Sequence, residues 1–226
     1  MNRILYYFSC LPSRIYWKVK GTILRWRGCD FADFRDPSFG FDVGYQYRST
    51  PVRDFRRLMK RVDREFLPFE QMAFFDAGFG KGAILIEGMK LGIPQVGGVE
   101  LSESMFAVCN RNLEILGRKK ENTKLYQANA ATLTTQLDDF NLFYMSNPFP
   151  EHVVKQFALS IIDSTKRKPR KFFIVYFHAT LHQTLIDTGF KLEYNQTRKI
   201  LFKPEIITYN KIYSLPNQNT NTGIEL

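Results

Sequence analysis

The feature that most constrains the fold is a glycine-rich turn, Asp76-Ala77-Gly78-Phe79-Gly80-Lys81-Gly82, between a predicted strand and a predicted helix. Glycine lets the backbone turn tightly and approach a ligand without a clash from Cβ, and the free N–H groups of a helix start attract a negative group. Glu100 follows Gly80 by 20 residues and ends the next predicted strand, where a carboxylate can accept both hydroxyls of a ribose. The set predicts a bound nucleotide-like ligand; a tight turn without a ligand is the alternative.

Strand and helix patterns alternate along most of the chain. Apolar runs with extended character predict the strands, and apolar residues at three- and four-residue spacing predict the helices between them. The predicted strands are Met72–Asp76, Gln95–Val99, Lys124–Gln127, Phe140–Ser146, Lys171–Phe177, Phe190–Thr197 and Ile206–Tyr213. The predicted helices are Ala83–Leu91, 103–116, Glu151–Asp163, Ala179–Thr188 and one that starts at Pro51 and ends near Phe66 or Pro68. Alternation predicts an α/β fold with a mostly parallel seven-stranded sheet, helices on both faces and a terminal antiparallel hairpin.

Length and composition exclude several classes of protein. The chain has 226 residues, 44% of them hydrophobic and 24% charged, which excludes wholesale disorder. No stretch approaches the eighteen or so apolar residues of a membrane-spanning helix. The three cysteines, Cys10, Cys29 and Cys109, are odd in number and widely spaced, so they do not form a disulfide framework and are typical of a reducing, cytoplasmic setting.

Basic charge is concentrated at the two ends of the chain. The net charge is +10, and residues 1–29 hold six basic, no acidic and several aromatic residues. This pattern favours an anionic partner, namely a nucleic acid, a phosphorylated substrate or a membrane surface. We predict a basic aromatic extension over residues 1–44, acting as a lid or lying on the inner face of a membrane, a core domain over 45–213 and a disordered tail over 214–226.

The turn at Asp76–Gly82 resembles the first motif of class I S-adenosylmethionine-dependent methyltransferases. It does not match the G-x-G-x-x-G order of dinucleotide-binding folds. The resemblance implies a Rossmann-like methyltransferase fold and S-adenosylmethionine as cofactor. It also implies that Asp76 binds the methionine end, that Gly78 and Gly80 form the floor of the site, that Glu100 binds the ribose and that Leu101 flanks the adenine.

The segment after the third strand corresponds to the adenine-binding position of that family. Relatives usually have Asp where this chain has Asn129. An Asn carbonyl can accept the same hydrogen bond from the adenine amino group, and the N–H of Ala130 would then meet a ring nitrogen. A simple turn role for Asn129 is the alternative.

The segment Ser146–Pro150 resembles the Asn-Pro-Pro-aromatic motif of amino-group methyltransferases, although its third position is Phe149. The resemblance implies that the Asn147 side chain and the Pro148 carbonyl accept hydrogen bonds from a target amine. Phe149 would pack on the acceptor or the sulfonium. A proline stop after a strand is the alternative, and the methyl acceptor itself is not identified by the sequence.

The segment Tyr45–Pro51 resembles the one that precedes the core in a bacterial subgroup of these enzymes. The resemblance implies that Tyr47 and Thr50 close over the methionine end of the cofactor. The alternative is a surface helix with Thr50 as its N-cap and Pro51 at its first position.

Other candidate residues give weaker indications. His178 and His182 could share a helix face, but no third ligand accompanies them, so no metal site is predicted. Cys109 is predicted to lie in the core. The basic run 166–171 is either a solvated loop or a phosphate contact. The alternative function is an inactive methyltransferase-like module that binds an anionic partner through its basic ends.

Overall fold

The computed structural model describes residues 28–31, 50–118, 121–199 and 206–216; for 197–199 and 206–209 only the backbone is described. The helices and strands alternate over most of this part of the chain. In order they are α1 (Val52–Glu65), β1 (Ala73–Ala77), α2 (Ala83–Lys90), β2 (Gln95–Glu100), α3 (Glu103–Ile115), β3 (Thr123–Gln127), β4 (Leu142–Ser146), α4 (Glu151–Arg167), β5 (Phe173–Phe177), α5 (His182–Asp187), β6 (Lys191–Lys199) and β7 (Ile206–Ser214).

The strands form one seven-stranded sheet in the order β3-β2-β1-β4-β5-β7-β6. Strands β1 to β5 pair in parallel, whereas β7 lies antiparallel to both β5 and β6. The predicted seven-stranded sheet with a terminal antiparallel hairpin is therefore confirmed. Because the chain leaves β1 in one direction and returns to its other side as β4, the carboxyl ends of these two strands flank a topological switch point, where open α/β sheets bind ligands.

Helices cover both faces of the sheet, as predicted. On one face, Phe75 of β1 and Phe143 of β4 pack with apolar residues of α4 and α5. On the other face, Phe74 and Tyr144 pack with residues of α1, α2 and α3. Successive strand residues point to opposite faces, so the continuous apolar runs of β1, β4 and β5 supply both layers of the core. Each fully buried Phe contributes about 1.5–3 kcal/mol.

Several predicted boundaries were wrong by a few residues. Helix α4 continues to Arg167 instead of ending at Asp163, and basic residues in its last turn stabilise that end. Helix α5 begins at His182 instead of Ala179. The backbone of His178 is left-handed, with φ 54°, so the chain turns between β5 and α5 before a helix can start.

Thr50 does not cap helix α1. The helix begins after Pro51 and has no side-chain cap. The Thr50 hydroxyl instead donates to Ser146 Oγ at 3.0 Å and accepts from the Tyr144 hydroxyl at 3.2 Å. These bonds fix the residue against the end of β4, so its hydroxyl is no longer available to the helix.

The two predicted boundaries of the core domain fall largely outside the described residues. The tail was predicted to begin at residue 214, but Ser214 ends β7 and donates its hydroxyl to Glu193; residues 217–226 lie outside the described part. Of the predicted 1–44 extension, only residues 28–31 are described. Over the described residues, no helix combines the length and apolar character needed to cross a membrane.

Candidate cofactor and acceptor site

Glu100 at the end of β2 holds the glycine-rich turn after β1. Its Oε2 accepts the Gly80 N–H at 2.7 Å, and its Oε1 accepts the Ser102 N–H at 2.9 Å. A carboxylate has about four lone-pair sites, so each oxygen retains capacity for a ligand hydroxyl. Burial raises the pKa of Glu100, although its backbone hydrogen bonds oppose that shift. The turn and the acid are thus fixed relative to each other before any ligand binds.

Asp76 is a buried carboxylate without a hydrogen-bond donor among the described residues. The residue is 3% exposed. Burial and then the nearby charge of Glu100 raise its pKa well above the ordinary value. A buried charge without a partner costs stability, and a ligand that brings an ammonium or another donor would offset that cost. This pair of carboxylates favours a ligand with both hydroxyl groups and positive charge.

Gly78 brings the turn after β1 against the loop after β4. Its φ is +82°, and a Cβ on it would lie 2.8 Å from Pro148 Cβ. Gly98 of β2 is constrained by space alone, since a Cβ there would overlap the carbonyl oxygen of Asp76 in β1. Glycine at position 78 therefore allows the two predicted motifs to lie against each other.

Asn147 follows β4 and has its side-chain oxygen engaged. The Oδ1 atom accepts from Thr180 Oγ1 at 2.5 Å and from the Tyr176 hydroxyl at 3.1 Å. Its backbone is left-handed, with φ 48°, a conformation that is uncommon outside glycine and is often found at functional sites. A carbonyl oxygen has two lone pairs. Here both accept from hydroxyl groups at or just after the end of β5.

Phe149 lies in the apolar core. It is 8% exposed, and its ring packs edge-to-face with Phe157 of α4 at a centroid distance of 6.5 Å. This packing accounts for an aromatic residue after Pro148 without a ligand. Its contact with an acceptor or a sulfonium stays a prediction.

The adenine-side residues lie at the ends of β2 and β3. Asn129 Oδ1 accepts the Ala131 N–H at 2.9 Å and so caps a short 3-10 turn that begins at Ala130. One lone pair of that oxygen remains for a ligand. Leu101 is partly buried directly after Glu100. Tyr47 lies outside the described residues.

A further set of polar residues supports the site and was not identified from the sequence. Lys81, in the glycine-rich turn, has a side chain only 4% exposed and forms an ion pair with Asp30 at 2.7 Å. Asn112 of α3 donates from Nδ2 to the carbonyls of Asp30 (2.8 Å) and Lys81 (3.0 Å) and accepts the Asp30 N–H at 2.9 Å. We call Asp30, Lys81 and Asn112 the polar latch. The sequence signal for it was an Asn within the apolar stripe of α3, beside Leu113 and beside Cys109, whose predicted place in the core is confirmed.

The basic run 166–171 is used mainly within the fold. Arg167 pairs with Asp138 and Lys168 with Asp139, at 2.8 and 2.7 Å. Arg170 donates to the carbonyls of Phe140 and Leu137. These contacts anchor the end of α4 to the segment before β4, which favours a structural role over a phosphate contact.

The two histidines considered as metal ligands do not share a helix face. His178 precedes α5, and His182 Nδ1 lies 2.9 Å from the Tyr213 hydroxyl. Within residues 28–31, 50–118, 121–199 and 206–216 no cluster of His, Cys, Asp or Glu suited to a metal ion is found.

Comparison with solved structures identifies the fold. The chain is similar to a proposed RNA methyltransferase from Pyrococcus horikoshii, with a TM-score of 0.58 and 19% identity over 88% of this chain and 97% of that one. It is similar to a glycopeptide N-methyltransferase, with a TM-score of 0.55 and 12% identity over 73% and 96% of the two chains. It is also similar to the magnesium protoporphyrin IX methyltransferase of Synechocystis solved with bound S-adenosylmethionine, with a TM-score of 0.51 and 14% identity over 72% and 77%.

These neighbours share the fold and differ in what their names say they methylate. No family model matches the sequence, and no curated protein is significantly similar to it. The chain therefore has the Rossmann-like fold of class I methyltransferases, and its function must be argued from its own site.

Proposed function

We propose that this protein is an S-adenosylmethionine-dependent methyltransferase. The observation that carries the proposal is the pair of buried carboxylates, Asp76 and Glu100, at the switch point of a methyltransferase fold. One of them holds the glycine-rich turn, and the other has no donor among the described residues. A ligand with a ribose, an amino group and a sulfonium supplies the hydroxyls and the positive charge that this arrangement lacks.

Each part of the cofactor has a candidate partner in the site. Asp76 would bind the amino group of the methionine end, above the floor made by Gly78 and Gly80, and Glu100 would accept the ribose hydroxyls. Around the adenine, Leu101 would supply apolar contact, Asn129 a carbonyl acceptor and Ala130 an N–H donor. Tyr47 and Thr50 would close the methionine end, and Thr50 lies beside Ser146 at the edge of that region.

The reaction asks the protein mainly for alignment. The cofactor supplies an activated methyl group, and holding two reactants in line contributes about 7–11 kcal/mol to lowering the barrier. In this chain Asn147 and the Pro148 carbonyl would orient the acceptor, because they lie where the β4 loop meets Gly78. No metal is required for such a displacement.

An amino group is the acceptor that the sequence favours, through the Asn147 carbonyl. That oxygen already accepts two hydroxyl groups. An amine would have to displace Thr180 or Tyr176, or bind through the Pro148 carbonyl alone. We therefore propose a methyl acceptor without assigning the atom that is methylated.

A second candidate is a non-catalytic module that retains the cofactor site. The Asn147 oxygen, which accepts two hydroxyl groups, and the buried Phe149 ring favour it, because these two residues of the acceptor motif are engaged within the fold. Such a module would bind an anionic partner through the basic ends of the chain.

Calorimetric titration tests the cofactor assignment. We expect saturable binding of S-adenosylmethionine and of S-adenosylhomocysteine, and no binding of NADH. Glu100→Ala should abolish cofactor binding, whereas Asp163→Ala, which removes an exposed carboxylate on α4, should not change it. Saturable binding of NADH alone would contradict the proposal.

Methyl transfer separates the two candidates. The protein would be incubated with tritium-labelled S-adenosylmethionine and the RNA, protein and small-molecule fractions of a cell extract. Label in one fraction, lowered in Asn147→Ala while cofactor affinity is kept, supports the enzyme. Cofactor binding with no labelled fraction supports the module.

A further inference from the structure

Lys211 of β7 is a largely buried lysine that has no counter-ion among the described residues. The residue is 6% exposed, and no acceptor or carboxylate of the described residues lies within hydrogen-bond or ion-pair distance of its ammonium. Burial lowers its pKa. Lysine is rarely buried unless paired, and an unpaired buried charge is costly. The position therefore carries a cost that a bound anion would offset.

The register of the sheet places Lys211 beside the candidate acceptor site. Lys211 lies directly opposite Tyr176 in the antiparallel pairing of β7 with β5, so both side chains are on the α4 and α5 face. The Tyr176 hydroxyl donates to Asn147 Oδ1 at 3.1 Å. Lys211 is thus separated from the loop after β4 by one tyrosine side chain.

Among the described residues, a tyrosine and a histidine lie on the same face as Lys211, and no carboxylate pairs with it. Two positions along β7, Tyr213 lies on the same face and its hydroxyl meets His182 Nδ1 at 2.9 Å. Burial lowers the pKa of His182, and the charge of Lys211 is the second cause of that shift. The basic run 166–171, in contrast, is largely matched by Asp138, Asp139 and backbone carbonyls.

We propose that Lys211 binds an oxyanion, a phosphate or carboxylate group carried by the methyl acceptor. This inference rests on the proposed function, since it places the anion next to Asn147. The acceptor would be held by the ammonium of one largely buried lysine at the β5 and β7 end of the site. The cofactor would occupy the β1 and β2 end.

The test uses inorganic phosphate and acetate as probes, titrated by calorimetry into the full chain. Wild-type protein should bind one or both saturably, and the tighter of the two identifies the type of oxyanion. Lys211→Met should weaken that binding by about tenfold or more. Lys191→Met is the matched control, because Lys191 lies on the same hairpin, is 60% exposed and pairs with Glu193. Equal binding in wild type and Lys211→Met, or no binding in wild type, would overturn the proposal.

Two further measurements keep the result clear. S-adenosylmethionine should bind Lys211→Met as it binds wild type, so a failure of the cofactor site would be seen separately. In wild-type protein, phosphate or acetate should protect Lys211, and not Lys191, from acetylation detected by mass spectrometry. Absence of that protection would overturn the proposal even if Lys211→Met does not fold.

Discussion

At the scale of single residues, Asp76 is a position where a side chain suited to ligand binding costs folding stability. Its carboxylate is buried, faces the charge of Glu100 and has no donor among the described residues. A protein selected for stability alone would place an apolar or amide side chain there. The cost is explained if a cationic ligand binds beside it.

Asp76→Asn should therefore lower the affinity for S-adenosylmethionine. Replacing the carboxylate by an amide removes a charge-assisted interaction of about 1.5–3 kcal/mol, which corresponds to roughly 10–100-fold in Kd. Calorimetry measures this, with Asp163→Asn as an exposed control. An unchanged Kd in Asp76→Asn would remove this residue from the cofactor site.

The same substitution should change how stability depends on pH. The pKa of Asp76 is higher in the folded chain than its ordinary value of 3.8, so the folded state binds more protons between these two values and loses stability as the pH rises through that window. Asp76→Asn lacks this loss. Its Tm should exceed that of wild type at pH 7, and the difference should shrink as the pH falls toward 4; a difference independent of pH would contradict the assignment.

At the scale of elements, the site depends on contact between the loops after β1 and β4. Gly78 has the same left-handed backbone as Gly92, at φ +82° and +84°, but only Gly78 is packed against Pro148; nothing lies within 4 Å of a Cβ at Gly92. The two positions separate backbone strain from loop contact.

Gly78→Ala should weaken both the fold and the site. A left-handed alanine costs about 1–2 kcal/mol at either position, and at Gly78 the added Cβ also displaces the Pro148 loop. We expect Gly92→Ala to reduce the free energy of unfolding with no change in S-adenosylmethionine affinity, and Gly78→Ala to reduce both. Equal affinities for S-adenosylmethionine in the two variants would show that cofactor binding does not depend on contact between the loops after β1 and β4.

The polar latch joins three segments of the chain: residues 28–31, the glycine-rich turn and α3. Asn112→Ala removes one accepted and two donated hydrogen bonds at a fully buried position. It should therefore lower the free energy of unfolding, measured in urea, by about 1–3 kcal/mol. Asn110→Ala is the control, since Asn110 is partly exposed and donates only to the carbonyl of Phe106 in its own helix. A loss no larger than that of the control would mean that the latch contributes little.

At the scale of the whole molecule, local patterns predicted the fold better than the site. Strand runs, glycine turns and the terminal hairpin are local in sequence, and they were enough to predict a mostly parallel seven-stranded sheet with a terminal antiparallel hairpin. The bonds that complete the site join residues 29 to 96 positions apart, such as Tyr176 with Asn147, Lys81 with Asp30 and Thr50 with Ser146. Such partners depend on how strands meet in space, which is why the alternative role of Thr50 as a helix cap was wrong and the polar latch was missed.

The roles of the basic residues likewise depend on contacts between distant parts of the sequence. Composition predicted an anionic partner from charge alone, whereas the fold pairs much of the run 166–171 internally and leaves Lys211 buried without a described partner. Charge counts cannot separate these cases, because neutralisation depends on Asp138 and Asp139 lying beside the end of α4.

The most direct test of the central claim is a crystal structure of the protein with S-adenosylhomocysteine at saturating concentration. We expect the ligand to lie across the ends of β1 and β2, with its ribose hydroxyls on Glu100, its amino group at Asp76 and its sulfur facing the loop at Asn147. A ligand bound elsewhere would contradict the proposed methyltransferase. So would a well-ordered site that holds no ligand.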